Sequence, residues 1–242
     1  GAPITLSGVA MGDPHDRVVN YKRSGPEDYQ TIKNDWQANV VRLSVHPGVY
    51  LKDWARGKKI LEAEVAAARG QGLFVIIDWH VIGQPDGWYK PANAADKKQY
   101  YSYNSDFGVA KEFWQYAAAQ FKTDRGVIFE LWNEPVNEKN NLTWAGLKPY
   151  LAELAGLIRN SGSQNIIMAS SVNLGYDLRG VKDNPLTGEN IAYSWHVYND
   201  NGSAVSRETA LDGLNQIYPV FITEWGSDND KDFGYSVKSG QN

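Results

Sequence analysis

The sequence contains no cysteine, which excludes a disulfide framework and any metal site built on thiolates. It also lacks long apolar runs, since stretches such as 74–77 (FVII) are far too short to cross a membrane. There is no basic block and the formal net charge is −4, so nucleic acid binding has no electrostatic footprint. We therefore expect neither a membrane nor a nucleic acid as a partner.

Aromatic residues are abundant instead, with nine Trp, fourteen Tyr and seven Phe in 242 residues. Some of them are expected in the core. Others suit sugar binding, because the apolar face of a pyranose ring packs flat on an aromatic ring. The length fits one α/β barrel domain, since such domains often reach roughly 200–250 residues. We expect residues 1–242 to form a single domain.

Short β-branched runs alternate with stretches of helical spacing, which is typical of βαβ units and a parallel sheet. The predicted strands span residues 5–10, 40–45, 73–78, 127–131, 165–170, 191–196 and 220–223. The predicted helices span residues 27–37, 58–70, 107–121, 147–161 and 206–217. A repeat of roughly 30 residues favours the α/β class and a (β/α)8 TIM barrel. A doubly wound sheet is less favoured, because residues 7–12 (SGVAMG) supply no glycine-rich phosphate turn.

Only seven strands are predicted, and 18 residues follow Glu224. That length holds a loop and a helical turn or two, but no complete eighth βα unit. An open barrel would expose unpaired strand edges, which is unfavourable. We expect the barrel to lack its eighth unit in this chain. Three explanations for the missing unit remain open: a truncated C-terminus, a second chain or fragment that completes the barrel, or a miscounted strand.

The longest stretch without periodicity spans residues 82–106. Loops of this length are uncommon in compact domains unless they serve binding. The stretch contains Trp88 and Tyr89, which we predict to stack on a substrate, with local packing as the alternative. The weaker candidates for stacking are Trp36, Tyr50 and Trp144.

Two apolar strands are followed by or end in glutamate. Residues 127–135 read VIFELWNEP and contain Glu134, and residues 219–226 read PVFITEWG and contain Glu224. Their separation of 90 residues equals three βα units of roughly 30 residues, which places both at one rim of the barrel. A retaining glycosidase needs two carboxyls about 5–5.5 Å apart. The alternative is a pair of solvated carboxylates at strand ends.

The four histidines share a position, because each follows or ends a predicted strand: His15, His46, His80 and His196. A lone histidine on a strand is usually a core residue, but four at one rim favour a polar site. Asp13, His15 and Asp16 form a further polar cluster. Since hydrolysis by two carboxylates needs no metal, we predict neither a metal nor a cofactor.

The chain resembles glycoside hydrolase family 5, the family of many cellulases, from about Thr5 to Gly226. The resemblance rests on five segments in the family's order: NVVRL at 39–43, VIIDWH at 75–80, WNEP at 132–135, HVY at 196–198 and TEWG at 223–226. It implies that Glu134 is the general acid/base and Glu224 the nucleophile. It also implies that Arg42 lies beside Glu224 and keeps it ionised, with a structural ion pair as the alternative.

The resemblance implies substrate contacts as well. Asn133 resembles the residue that bonds the sugar 2-hydroxyl, and His80 resembles a site histidine that contacts sugar hydroxyls. His196 and Tyr198 resemble the pair that flanks the carboxylates, with the tyrosine hydroxyl near the nucleophile. The family also carries a tryptophan at the end of strand eight as the floor of the cleaving subsite, and this sequence stops before any such residue.

The function that the resemblance implies is an endo-β-1,4-glucanase that cleaves β-glucan polysaccharide or oligosaccharide with retention of configuration. Mixed-linkage β-glucanase (lichenase) and mannanase activities are alternatives on the same scaffold. A non-catalytic carbohydrate-binding protein is the alternative from another class. We expect an extracellular protein. No charged-then-apolar leader follows Gly1, so a signal peptide, where one existed, has been removed.

Overall fold

The structure is a computed structural model of the chain that describes residues 4–23, 25–87, 103–198 and 205–226, together with two short strands. These strands, Asp228–Asn229 and Gly234–Tyr235, form a separate antiparallel pair. None of the helices in the described ranges is long and apolar enough to cross a membrane.

Seven parallel strands form one sheet that follows chain order and curves into a nearly closed barrel. They are β1 (Gly8–Ala10), β2 (Val40–Val45), β3 (Phe74–Trp79), β4 (Val127–Glu130), β5 (Ile167–Ala169), β6 (Ile191–Tyr198) and β7 (Val220–Gly226). Strands β1 and β7 are the outer strands of this sheet, and the described residues place no eighth strand between them. The prediction of a parallel α/β barrel that lacks its eighth unit is therefore confirmed.

The helices lie between consecutive strands of the chain. They are α1 (Pro14–Val19), α2 (Pro26–Asn34), α3 (Pro47–Lys52), α4 (Trp54–Gly70), α5 (Phe107–Phe121), α6 (Trp144–Asn160) and α7 (Arg207–Leu211), with a 3₁₀ turn at Leu214–Gln216. Asp53, Asp106 and Thr143 each accept a hydrogen bond from a backbone N–H of the helix that follows. Such caps satisfy amide groups that have no partner inside the first helical turn.

The predicted helix at 206–217 is wrong as a single helix. The backbone turns left-handed at Asp212 (φ 53°) and Gly213 (φ 70°), and a left-handed residue ends a helix. Helices α1 and α3 are absent from the prediction, because six residues are too few to establish a hydrophobic period.

The central strands are buried on both faces, and the two faces differ in chemistry. On β2, Val41, Leu43 and Val45 pack into the core between the sheet and the helices. The inside of the barrel begins with an apolar layer formed by Val40, Ile76, Ile128, Met168 and Ala192. Two residues further along three of these strands, the inward positions hold Arg42, Asp78 and Glu130.

The outer core contains a group of packed rings on α5 and its neighbours. Phe113 is fully buried there and its ring contacts those of Tyr50, Trp79 and Trp114. We expect Phe113→Ala to lower the free energy of unfolding by about 3–5 kcal/mol, because it removes buried area and leaves a cavity. Urea denaturation measures the change.

The matched control is Gln115→Ala, at an exposed position of the same helix. It should change the free energy of unfolding by less than about 0.5 kcal/mol. Equal losses in the two variants would contradict the place of Phe113 in the core.

Candidate active site

Charged and polar side chains gather at the C-terminal ends of the barrel strands, the face where barrels of this architecture carry their functional groups. They are Arg42 on β2, Asp78 on β3, His80 after β3, Glu130 on β4, Asn133 and Glu134 after β4, His196 and Tyr198 on β6, and Glu224 on β7. The structure thus brings together seven of the eight site residues expected from the sequence. The eighth, Trp88, lies outside the described residues.

The two strand-end glutamates lie side by side. One carboxylate oxygen of Glu134, one of Glu224 and a ring nitrogen of His196 all lie within 4.8 Å of one another. The side chains are 15% and 16% exposed, so both are partly open to a ligand. Carboxyls about 5–5.5 Å apart are typical of retaining glycosidases, whereas inverting enzymes hold them roughly 6.5–9.5 Å apart. The nearest oxygens of Glu134 and Glu224 are therefore closer than the inverting range.

Glu224 is surrounded by donors. Arg42 donates from Nη1 to Glu224 Oε1 at 2.6 Å, and the Tyr198 hydroxyl donates to Oε2 at 2.8 Å. Burial alone would raise the pKa of Glu224, but the positive charges of His196 and Arg42 and the Tyr198 hydrogen bond lower it to about 2. The carboxylate is therefore ionised over the whole neutral and mildly acidic range.

Glu134 has different surroundings. Its Oε1 lies 3.1 Å from Nδ1 of His196, and the same nitrogen lies 3.7 Å from Oε2 of Glu224. Burial alone would lower the pKa of His196, but the hydrogen bond to Glu134 and the charge of Glu224 raise it. Glu224 is thus hydrogen-bonded by the guanidinium of Arg42 and the hydroxyl of Tyr198. Glu134 is hydrogen-bonded to the imidazole of His196, which also lies near Glu224.

The backbone after β4 is fixed by the loop after β3. The amide of Glu134 donates to the carbonyl of Val81 at 2.9 Å, and the amide of Gly83 donates to the carbonyl of Glu134 at 3.0 Å. The indole of Trp132 is buried and donates to the Gly83 carbonyl at 2.8 Å. Glu134 therefore lies on an extended segment held at both its amide and its carbonyl.

An irregularity between β6 and β7 turns two consecutive side chains into the barrel. Trp195 pairs with Ile222 and His196 pairs with Glu224, so Thr223 is an extra residue on β7. Thr223 donates to Glu130 Oε1 at 2.9 Å, while Glu224 reaches Arg42. A bulge of this kind redirects a side chain that strict alternation would send outward.

Two carboxyls that the sequence analysis missed complete the surroundings of Arg42. Its Nε donates to Glu130 at 2.6 Å, and its Nη2 donates to Asn133 Oδ1 at 2.7 Å and lies 2.9 Å from Asp78 Oδ2. Burial raises the pKa of Asp78 to about 7 against the opposing charge of Arg42, and it also raises the pKa of Glu130. Arg42 therefore contacts three carboxyls from three strands.

A signal for these carboxyls exists in the sequence. Asp78 and Glu130 each stand two residues after an apolar residue that faces the barrel interior, in runs that are otherwise apolar. Because side chains alternate along a strand, an acidic residue at that position points into the barrel. The signal is therefore an acidic residue within an apolar strand, and the structure supplies the face on which it lies.

His80 contacts the carboxyl of Asp78 and lies near the rings of His46 and Tyr103. Its Nδ1 is 2.6 Å from Asp78 Oδ2, and its ring centroid is 4.6 Å from that of His46 and 6.0 Å from that of Tyr103. Burial lowers the pKa of His80 to about 4 and that of His46 to about 3. Both imidazoles are neutral above these values.

His15 does not belong to this group. Asp13, His15 and Asp16 each have one atom that could bind a metal ion, and these three atoms lie within 4.8 Å of one another. However, the Asp13 carboxylate accepts the backbone N–H groups of Asp16 and His46 at 2.9 and 2.8 Å. It therefore caps α1 and holds the end of β2, while His15 lines a small cavity with Tyr50.

The weaker candidates for sugar stacking are wrong in this structure. Tyr50 and Trp144 are buried in the core between sheet and helices. Trp36 is exposed, but it precedes β2 and so lies at the opposite end of the strand from Arg42 and His46. Tyr89, like Trp88, lies outside the described residues.

An open cavity of about 880 Å³ connects the site with the gap between β1 and β7. Near the C-terminal ends of the strands, the cavity is lined by Arg42, His46, His80, Tyr198 and Glu224. A cavity of this size lies within the range of about 300–1,000 Å³ that is typical of ligand sites.

A parallel barrel with two neighbouring glutamates, one just after strand four and one on strand seven, has the architecture of a retaining glycoside hydrolase. The family model described as Cellulase (glycosyl hydrolase family 5) matches residues 1–240. The chain therefore belongs to glycosyl hydrolase family 5.

Individual proteins support this assignment. Endoglucanase A of Butyrivibrio fibrisolvens is 30% identical over 235 residues, which cover 93% of this chain and 49% of that protein. Cellulase CelDZ1 of a Thermoanaerobacterium species is 30% identical over 247 residues, which cover 94% of this chain and 58% of that protein. The chain spans about half the length of the curated relatives it matches.

Solved structures show the same fold. The β-glucanase SdGluc5_26A of Saccharophagus degradans superposes with a TM-score of 0.86 at 24% identity, over 98% of this chain and 72% of that one. The catalytic domain of endoglucanase Cel5A from Thermobifida fusca superposes with a TM-score of 0.76 at 21% identity, over 100% of this chain and 74% of that one.

The contacts of Glu224 can be tested without any substrate. We expect Tyr198→Phe to raise the pKa of Glu224 by about 1, because a hydrogen bond to a charged group contributes about 1.5 kcal/mol. Carboxyl ¹³C NMR of glutamate-labelled protein follows this ionisation from acidic to neutral pH. Tyr176→Phe is the control, since that hydroxyl donates to the carbonyl of Val205. An unchanged Glu224 titration in Tyr198→Phe would refute the role of this contact.

Proposed function

We propose that the protein is an endo-β-1,4-glucanase that hydrolyses β-glucan with retention of configuration. The observation that carries the proposal is the pair Glu134 and Glu224, which lie within 4.8 Å of each other in unlike surroundings. The names of relatives at 30% identity, an endoglucanase and a cellulase, support the choice of substrate. Related structures with cellotetraose bound are consistent with a β-1,4-glucose chain as ligand.

In the first step, the Glu224 carboxylate attacks the anomeric carbon of the sugar. The bond from this carbon to the glycosidic oxygen breaks while the Glu134 carboxyl transfers its proton to that oxygen. A covalent glycosyl ester on Glu224 results, and the leaving chain departs as an alcohol. The ionised state of Glu224, maintained by Arg42 and Tyr198, is the state this step requires.

In the second step, Glu134 accepts a proton from water as the water oxygen attacks the same carbon. The ester bond breaks and Glu224 leaves as a carboxylate. Esterification has removed the negative charge of Glu224 in the meantime. Two inversions at one carbon give net retention.

The remaining side chains are proposed to bind and orient the sugar. The Oδ1 of Asn133 accepts from Arg42, which directs its Nδ2 donor toward a ligand, where the 2-hydroxyl is the expected partner. His80 is proposed to contact sugar hydroxyls from the cavity wall. His196 is proposed to orient both carboxyls, and Trp88 to stack on a sugar ring.

The enzyme claim is tested by isosteric substitution of each glutamate. We expect Glu134→Gln and Glu224→Gln to lower kcat on carboxymethylcellulose at least about 100-fold, because each removes a group that transfers a proton or forms the covalent bond. Reducing-sugar release measures the rate. Glu138→Gln, at an exposed position four residues after Glu134, should leave kcat unchanged.

Equal turnover by the wild type and both site variants, including none at all, would remove the enzyme claim. Binding of oligosaccharide without turnover would then favour a carbohydrate-binding protein. A panel of cellulose derivatives, mixed-linkage β-glucan, mannan and xyloglucan decides the substrate. Cleavage of mannan alone would overturn the choice of glucan.

We also propose that residues 1–242 belong to one catalytic domain and that a further parallel strand fills the gap between β1 and β7. The strand comes either from a continuation of the polypeptide or from a second chain or fragment. Ile222 and Trp225 on β7 are 44% and 70% exposed, and unpaired strand edges tend to acquire partners. Native mass spectrometry of active material should reveal mass beyond residues 1–242, as a longer polypeptide or as a bound second one. Full activity of residues 1–242 alone as a monomer would contradict the proposal.

The site of action is proposed to be extracellular. A glucose polymer does not cross a membrane. An enzyme that cleaves internal bonds of this polymer must therefore act outside the cell. Activity and the protein should both be recovered from the culture medium of the source cells. Recovery in the cell lysate alone would contradict secretion.

A further inference from the structure

Asp78 stands between two groups of the proposed sugar site. It is fully buried on β3, and its Oδ2 contacts both of these groups. This oxygen lies 2.9 Å from Nη2 of Arg42 and 2.6 Å from Nδ1 of His80. Asp78 thus connects the arginine that holds Glu224 with the histidine that lines the cavity.

When Asp78 is ionised, its contact with His80 fixes which nitrogen of His80 carries the proton. An arginine guanidinium is always protonated, so Arg42 faces Oδ2 as a cation at 2.9 Å. An ionised carboxylate accepts only, so the contact at 2.6 Å requires His80 to donate from Nδ1. A neutral imidazole carries one ring proton. With that proton on Nδ1, Nε2 is a bare acceptor.

The ring as a whole is held in place. Its centroid lies 4.6 Å from that of His46, and Asp78 secures the Nδ1 edge. The side chain is 16% exposed and lines the cavity beside Glu224. Nε2 is therefore the polar atom of this ring that is left for a ligand.

We propose that Asp78 is a positioning residue that holds His80 in the Nδ1–H tautomer, so that Nε2 accepts a hydrogen bond from a sugar hydroxyl. The sugar as partner rests on the proposed function, whereas the tautomer does not. In metal and catalytic sites, a functional histidine often uses one ring nitrogen for the ligand and donates from the other to a carboxylate or carbonyl, which sets its tautomer.

Glu130 is a matched control for the role of Asp78 toward His80. Glu130 is also fully buried and also contacts Arg42, at 2.6 Å. Its second oxygen accepts from Thr223 at 2.9 Å, and its hydrogen bonds involve no atom of His80. Loss of Glu130 therefore removes a carboxylate from Arg42 without removing the acceptor from His80.

The experiment is long-range ¹H–¹⁵N NMR of histidine-labelled protein at pH 8, where Asp78 is ionised, with His80→Gln to assign the signal. In the wild type, the proton of His80 should be on Nδ1. In Asp78→Ala the acceptor is gone, and the Nε2–H form should appear as the larger fraction. In Asp78→Asn the amide oxygen faces Arg42 and His80, since the amide NH₂ would oppose the guanidinium, so Nδ1–H should persist.

Glu130→Ala should leave the tautomer of His80 as in the wild type. On a soluble cello-oligosaccharide, Asp78→Ala should raise KM about tenfold, the loss of one hydrogen bond, and Asp78→Asn should restore most of it. Circular dichroism confirms that each variant is folded.

A wild-type His80 protonated on Nε2 would overturn the proposal, and this measurement needs no variant. An unchanged tautomer in folded Asp78→Ala, or an equal change in Glu130→Ala, would overturn it as well. A correct tautomer with no turnover in the wild type would instead refute the proposed function and leave the role of Asp78 toward His80 intact.

Discussion

The guanidinium of Arg42 is the interaction on which the site depends. From the inner face of β2 it contacts Asp78 on β3, Glu130 on β4 and Glu224 on β7, and it bonds Asn133 just after β4. One cation thereby ties the C-terminal ends of four strands to one another. The planar group has five donors in a fixed arrangement, which a lysine ammonium at the same position does not offer.

This arrangement has a cost in stability that the surrounding fold must offset. Asp78, Glu130 and Arg42 are almost completely removed from water, and desolvation of buried charges often exceeds their mutual attraction. The raised pKa of Asp78, about 7, reflects that cost, since the buried carboxyl resists ionisation even beside Arg42. The benefit is a nucleophile candidate, Glu224, whose pKa is held at about 2 in a partly open cleft.

The sequence predicts the architecture well where periodicity is long and the ends are marked. Helix α5 has the predicted bounds because Asp106 caps it and its apolar spacing continues over four turns. The segment 206–217 shows the same spacing, but the left-handed pair Asp212 and Gly213 divides it. Strand-end motifs locate Glu134 and Glu224, whereas Asp78 and Glu130 escape because residue type alone does not tell which face of a doubly buried strand is inside. The bulge at Thr223 leaves no mark in the sequence.

Glu224 is proposed to bond to the anomeric carbon in the first of two displacements, while Glu134 transfers a proton in each of them. The most direct measurement is the anomeric configuration of the first product, followed by ¹H NMR during rapid hydrolysis of a cello-oligosaccharide before mutarotation. Two displacements through a glycosyl ester on Glu224 predict that the β anomer forms first and then decays to the equilibrium mixture. An α anomer formed first would show a single displacement by water and would contradict the roles given to the two glutamates.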